Sequence, residues 1–250
     1  MTEQEWLNCA ESWKMVNFLS TFGNAPFSHS PARHRKMGLF ACHCCRRIWH
    51  LLADERSREV VEACERLLDH EAPEMSYRGL AEIARLTANE QHSNIPGGGS
   101  ERWLAEANYE ASCAVLGCVS VSIVNGASIA AAVAVKRWAQ FKGASARPSA
   151  KKERLVQVSL FRDIIGNPFR PVAINPAWLT WRNATVPKIA QAAYDERELP
   201  SGELDRVRLA VLADAREEAG CTNADIVAHL RSPGPHVRGC WVVDLLQGRE

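Results

Sequence analysis

The chain has almost no net charge. Thirty Lys or Arg face twenty-nine Asp or Glu, leaving a formal charge of +1 over 250 residues. That balance removes the long-range pull on which a general polyanion binder depends. The N-terminus, Met1-Thr2-Glu3-Gln4-Glu5-Trp6, has no basic n-region and no apolar h-region, so no signal peptide is expected. No alternating apolar–polar run marks a strand. The phosphate-cradling G-x-x-x-x-G-K-[ST], the dinucleotide G-x-G-x-x-G, the nucleophile elbow G-x-S-x-G and the metalloprotease H-E-x-x-H are all missing. The commonest nucleotide-binding and hydrolase patterns are thereby excluded.

Apolar residues make up 46% of the chain and charged residues 24%, as in an ordinary globular protein with a core to bury. The nine cysteines are an odd number and lie inside helical patterns rather than at turns. Reduced thiols in a cytoplasmic protein are the expectation.

Charge is distributed in blocks. Residues 12–53 and 111–152 contain no acid, whereas acids outnumber bases about two to one over 54–110. Such blocks read as complementary faces of one fold before they read as a partner patch. Residues 111–135 carry no charge at all, a stretch long enough to span a bilayer. Its serines, glycines, Asn125 and many alanines suit tightly packed helices better than lipid, so a buried hairpin or core helix is expected.

Almost every readable segment is helical. Thr2 and Glu5 form a capping box. A short helix follows over about 11–19, then a loop over 20–28 with Gly23, Asn24 and Pro26. Ser30-Pro31 opens a helix reaching Leu52, with Met37, Ala41, Cys44, Ile48 and Leu51 on its apolar stripe. Helices are predicted near 54–70, 76–91 and 100–117, broken at Glu71-Ala72-Pro73 and Ile95-Pro96-Gly97-Gly98-Gly99. One more, bent at Asn125-Gly126, runs to about Gly143. Residues 144–150 form a small-residue seam, and helix resumes over 151–165. Beyond it lie a short helical turn at Pro176–Trp181 and helices over 186–197 and 201–219. Thr222 caps a helix to Leu230, and a last helix covers 236–247. The expected fold is an all-α, irregular bundle of about ten helices without significant β-sheet. It forms one domain or two packed halves, 1–143 and 151–250.

Three constellations could carry chemistry. Cys42-His43-Cys44-Cys45 with His50 offers soft ligands for zinc or a redox thiol, but zinc sites use spaced ligand pairs on turns, and Cys44 and Cys45 fall in the apolar stripe. A basic stripe of Arg33, Arg35, Lys36, His43, Arg46, Arg47 and His50 could lie against phosphates or pair with the acidic segment starting at Asp54-Glu55. The rigid turn Gly166-Asn167-Pro168-Phe169-Arg170-Pro171, with Asp163, Trp178, Trp181 and the segment His236-Val237-Arg238-Gly239-Cys240-Trp241 leading to Asp244, gathers aromatic and arginine anchors of the kind that make binding hot spots. Within it Arg170 could instead pair with Asp163 or Asp244, and Asp163, His236 and Arg170 could do acid–base work.

On four blocks the chain resembles a paralogue-rich group of uncharacterised predicted proteins, largely planctomycete. The blocks are Met1-Thr2-Glu3 with Glu5-Trp6-Leu7; Leu39-Phe40-Ala41 with Cys44-Cys45-Arg46-Arg47-Ile48-Trp49; Gly166-Asn167-Pro168-Phe169-Arg170-Pro171 with Pro176-Ala177-Trp178-Leu179; and Gly234-Pro235-His236-Val237-Arg238-Gly239-Cys240-Trp241. They cover both ends of the chain, while residues 93–149 carry no comparable signature. The resemblance implies one shared architecture and no activity, ligand or site.

Taken together these residues predict a non-enzymatic helical interaction module without a cofactor. An unknown protein partner would dock on Phe169, Arg170, Trp178, Trp181, His236, Arg238 and Trp241, and no membrane span is expected. The alternatives are nucleic-acid binding through Arg33, Arg35, Lys36, Arg46 and Arg47, or a metal or redox site at Cys42, Cys44, Cys45 and His50.

Overall fold

The computed structural model describes residues 1–21, 31–70, 76–120 and 124–249. The expected Ser30 cap, most of the 20–28 loop and the Glu71-Ala72-Pro73 break fall outside them. Twelve α-helices are found among the described residues, with two isolated β-bridges and no strand. The chain divides into two compact units, Met1–Val158 and Ser159–Glu250.

The first unit begins with α1 (Glu3–Asn8), where Thr2 accepts from the Glu5 amide and Glu5 returns the bond to the Thr2 amide. It continues through α2 (Ser12–Thr21), α3 (Pro31–Arg47), α4 (Glu55–Leu68), α5 (Tyr77–Ser93), α6 (Glu101–Leu116) and α7 (Val124–Phe141). Helix α3 is its axis. It packs on α4, α6 and α7, and every residue from 36 to 46 is buried, the basic ones included. It ends at Arg47 instead of Leu52. Ile48 leaves helical geometry, and Trp49–Leu51 finishes as a 3-10 turn.

The uncharged stretch forms facing parts of α6 and α7 rather than one bent helix. Asn125 and Gly126 sit in the first turn of α7. Alanines make the close approach possible: Ala107, Ala111 and Ala114 on α6 and Ala127, Ala131, Ala132 and Ala134 on α7 are buried. A Cβ on Gly117 would stand 2.5 Å from the Ala127 Cβ and 2.9 Å from its backbone nitrogen, so only glycine fits there. No described helix is long and apolar enough to cross a membrane.

Helix α8 (Ala146–Ile165) starts inside the predicted 144–150 seam, and the division between units falls within it, after Val158. The second unit contains the end of α8, α9 (Pro176–Asp195), α10 (Arg206–Glu218), α11 (Ala224–Leu230) and α12 (Trp241–Gln247). Its core gathers Val186, Tyr194, Leu209, Leu212, Ile226, Val242, Val243, Leu245 and Leu246, with Trp178, Trp181 and Trp241 packed against it. Each fully buried aliphatic side chain there contributes about 1.5–3 kcal/mol.

Helix α9 is two helices in sequence. Its backbone turns left-handed at Arg182, Asn183 and Ala184, which separates the Pro176–Trp181 turn from the helix beyond. Helix α11 is capped by Asn223 rather than Thr222, because the Asn223 carbonyl side chain reaches the amides of Asp225 and Ile226. Helix α12 begins only at Trp241. Residues 231–239 form a loop instead, pinned where the Leu204 amide donates to the His236 carbonyl at 2.8 Å.

Candidate metal centre

Asp163 lies in the last turn of α8, where the negative end of the helix dipole disfavours a carboxylate. Its oxygens are therefore held by donors. His236 Nδ1 lies 2.8 Å from Oδ1 and His229 Nε2 lies 3.0 Å from the same oxygen. The Val237 amide donates to Oδ2 at 2.9 Å. Burial alone would raise the Asp163 carboxyl, but the two histidines outweigh it and hold it below the usual carboxylate value. Burial likewise pulls His236 down, and the Asp163 bond and charge push it above the usual imidazole value.

The other members come from nearby elements. His229 sits in the last turn of α11, and Cys240 is the N-cap residue of α12. Between them the loop bends through Gly234 at φ +82°, where a Cβ would lie 2.9 Å from the His236 amide nitrogen. Glycine there lets the chain fold tightly enough to bring His236 inward. Cys240 Sγ stands 3.2 Å from His229 Nε2. The ligand atoms of Asp163, His229, His236 and Cys240 all lie within 4.8 Å of one another, the one such group of three or more among the described residues.

The surroundings support these side chains. His236 Nε2 faces the Ser232 carbonyl at 3.2 Å and the Ser232 hydroxyl at 3.1 Å. The Trp241 indole N–H donates to His229 Nδ1 at 3.3 Å. Behind the cluster, Tyr194 donates to Asp244 at 2.8 Å and accepts from the Gly239 amide at 3.1 Å. Asp163, His236 and Cys240 are buried, and the His229 side chain alone reaches solvent, at 19%.

This set suits metal ligation better than nucleophilic catalysis. A reactive cysteine needs a lowered pKa and access. Cys240 has neither: burial first, then the Asp163 charge, push its thiol well above the ordinary value. A nitrogen–oxygen–sulfur set with two anionic ligands instead neutralises a divalent transition metal. The sulfur and nitrogen donors argue against calcium or magnesium. Donors at about 2.0–2.3 Å from a tetrahedral ion stand about 3.3–3.7 Å apart, so the shortest contacts here open by about half an ångström to admit one.

The other sequence candidates are placed as follows. Cys42, Cys44 and Cys45 are fully buried along α3, with Cys45 Sγ 3.5 Å from Cys118 Sγ, while His50 is exposed with its ring edge-on to Trp138. In the basic stripe, Arg35 pairs with Asp69 at 2.5 Å, Arg46 with Glu65 at 2.6 Å and Arg47 with Glu153 at 2.9 Å. Lys36 is buried and Arg33 half-buried. Three arginines of the stripe are thus turned toward acids of their own unit. Phe169 is half-buried and Arg170 exposed. Trp178 stacks under Arg216 at 3.2 Å and Trp181 under Arg182 at 4.5 Å. Arg238 is buried. Asp163 is held by the two histidines and the Val237 amide, and Asp244 accepts a bond from Tyr194 among other contacts.

Sequence reasoning grouped Asp163 with His236 and Cys240 but left out His229. The available signal was His229-x6-His236-x3-Cys240, a spacing outside the common zinc patterns. No family model, curated protein or solved structure matches this chain.

Proposed function

We propose that this chain is a non-enzymatic helical module whose C-terminal unit is stapled by one divalent transition-metal ion, zinc before others. The ion is held by Asp163, His229, His236 and Cys240. The observation that carries this reading is the convergence of those four donor atoms, from α8, α11, the 231–239 loop and the head of α12, within 4.8 Å. Four protein ligands fill a tetrahedral shell and leave no position for water or substrate, which is the arrangement of a structural site rather than a hydrolytic one. The Asp163 carboxylate and Cys240 thiolate balance the charge of the ion. A staple of this kind agrees with an interaction module, because it holds a binding surface rigid without doing chemistry.

The test is metal analysis of the purified full chain. About one zinc per chain is expected. After chelation, cobalt(II) should restore binding with the intense tetrahedral and thiolate bands of a sulfur-containing site. Cys240→Ser should abolish the thiolate band, and His236→Ala should abolish tight binding. A folded wild-type chain that carries no metal and gives no cobalt spectrum overturns the proposal.

A further inference from the structure

We infer that Trp241 controls entry of the ion, by holding His229 in the tautomer that cannot ligate it. The inference rests on the metal-centre reading above and adds a moving part to it.

An indole N–H can only donate. At 3.3 Å from Trp241 Nε1, the Nδ1 atom of His229 is therefore the acceptor and carries no proton. The proton of a neutral imidazole then sits on Nε2, which lies 3.0 Å from Asp163 Oδ1 and donates to it. Nε2 is also the atom that faces Cys240 and the cluster. To ligate an ion, Nε2 must present its lone pair, and the ring proton moves to Nδ1. Two N–H groups would then face each other across 3.3 Å with no acceptor between them. The Trp241–His229 bond has to break.

His236 shows the opposite arrangement. Its Nδ1 faces Asp163, and its Nε2 faces the Ser232 carbonyl at 3.2 Å. In the metal-free protein Nδ1 donates to Asp163; when Nδ1 turns its lone pair to an ion, a proton on Nε2 satisfies that carbonyl, the usual outer support of a metal-bound histidine. On ligation His236 keeps an outer acceptor for its proton, whereas His229 loses its outer partner.

The geometry also says which side chain yields. Trp241 is confined: its ring lies on Gly166, where a Cβ would stand 3.0 Å from the indole Cγ, and Gly166 holds φ +76°. His229 is the least buried of the four ligands. Binding therefore proceeds by rotation of the His229 ring away from the indole N–H. Trp241 is a positioning residue that weakens the site by about the worth of one hydrogen bond.

The test is a zinc competition titration of the full chain against a chelator of known affinity, with wild type and Trp241→Phe. Phenylalanine keeps an aromatic face and removes the N–H. It is expected to tighten binding about 3–10-fold, the equivalent of one neutral hydrogen bond. In parallel, the Trp241 indole resonance in a nitrogen–proton spectrum of wild type, assigned from its through-space contacts to the His229 ring, should shift on zinc addition. That second measurement decides the matter if the variant does not fold. A wild-type chain that binds no zinc sinks the metal centre and this inference with it. Zinc binding with an unmoved Trp241 resonance, or with unchanged or weaker affinity in a folded Trp241→Phe, sinks this inference alone.

Discussion

The Tyr194 hydroxyl donates to the Asp244 carboxylate at 2.8 Å with both side chains fully buried. The same oxygen accepts from the Gly239 amide, so one hydroxyl ties α9 to α12 and to the loop behind the candidate metal ligands. Removing it leaves a buried carboxylate oxygen and a buried amide each short of a partner. Tyr194→Phe is expected to cost about 2–4 kcal/mol, the sum of a charged and a neutral loss. Chemical denaturation followed by tryptophan fluorescence measures it. A cost under 0.5 kcal/mol, on the order of a neutral surface change, would show that other donors already satisfy Asp244.

In the metal-free protein, Asp163 and His236 should set a pH window for stability. Asp163 has a depressed folded pKa, so its contribution is complete above its unfolded value near 3.9 and is lost as pH falls through the folded value. His236 has a raised folded pKa. Its contribution is complete below its unfolded value near 6.5 and is lost as pH rises through the folded value. Both hold between about pH 4 and 6.5. The difference in melting temperature between wild type and Asp163→Asn, both with chelator, is expected to peak inside that window. A difference that keeps growing from pH 6.5 to pH 9 would contradict the pair.

Elements whose cause is local were the legible ones. The Thr2–Glu5 box and the stop of α10 before Gly220 need only their own neighbours in sequence. The break in α9 was only half visible. Asn175 and Pro176 announce the first turn and Pro187 the next helix, but no glycine marks the left-handed turn at Arg182–Ala184. Burial of Arg46 and His43 was hidden because helical periodicity counts charged residues as outward, and here α3 is surrounded. The metal alternative followed ligand density to Cys42, Cys44, Cys45 and His50, against the expectation of packing. Consecutive residues on a helix point about 100° apart and cannot converge on one ion. Asp163 and His229 are far apart in sequence, and only the bonds that Asp163, at the end of α8, makes to α11 and the 231–239 loop reveal the group.

Arg46 and Arg47 neighbour each other on α3, yet their ion pairs should differ sharply. Arg46 meets Glu65 through two bonds, 2.6 and 2.8 Å, with both side chains 1% exposed. Arg46→Ala leaves Glu65 buried without its guanidinium and is expected to cost about 3–5 kcal/mol. Arg46→Met with Glu65→Leu should recover most of that loss. Arg47 is 29% exposed opposite Glu153, so Arg47→Ala is expected to cost only about 1 kcal/mol. Equal costs for the two alanine variants would mean that burial does not govern these pairs.

Arg216 is fully buried on α10, with its guanidinium carbon 3.2 Å from the centre of the Trp178 ring. None of its three guanidinium nitrogens has a hydrogen-bond partner among the described residues. Burial pulls its pKa down, as it must for a cation without an acid. Stacking on the indole offsets about 2 kcal/mol, less than the cost of hiding an unpaired charge. Methionine keeps the aliphatic length and the contact with the ring while removing the charge. Arg216→Met is therefore expected to stabilise the chain by about 1–3 kcal/mol. Trp178→Ala, which removes the half-buried indole from the core of the second unit, should destabilise it by about 2–4 kcal/mol. Denaturant midpoints at equal slope compare the two. Destabilisation by Arg216→Met would show that ordered water or a bound anion meets the guanidinium, and that its place over Trp178 is held by those bonds instead of by stacking.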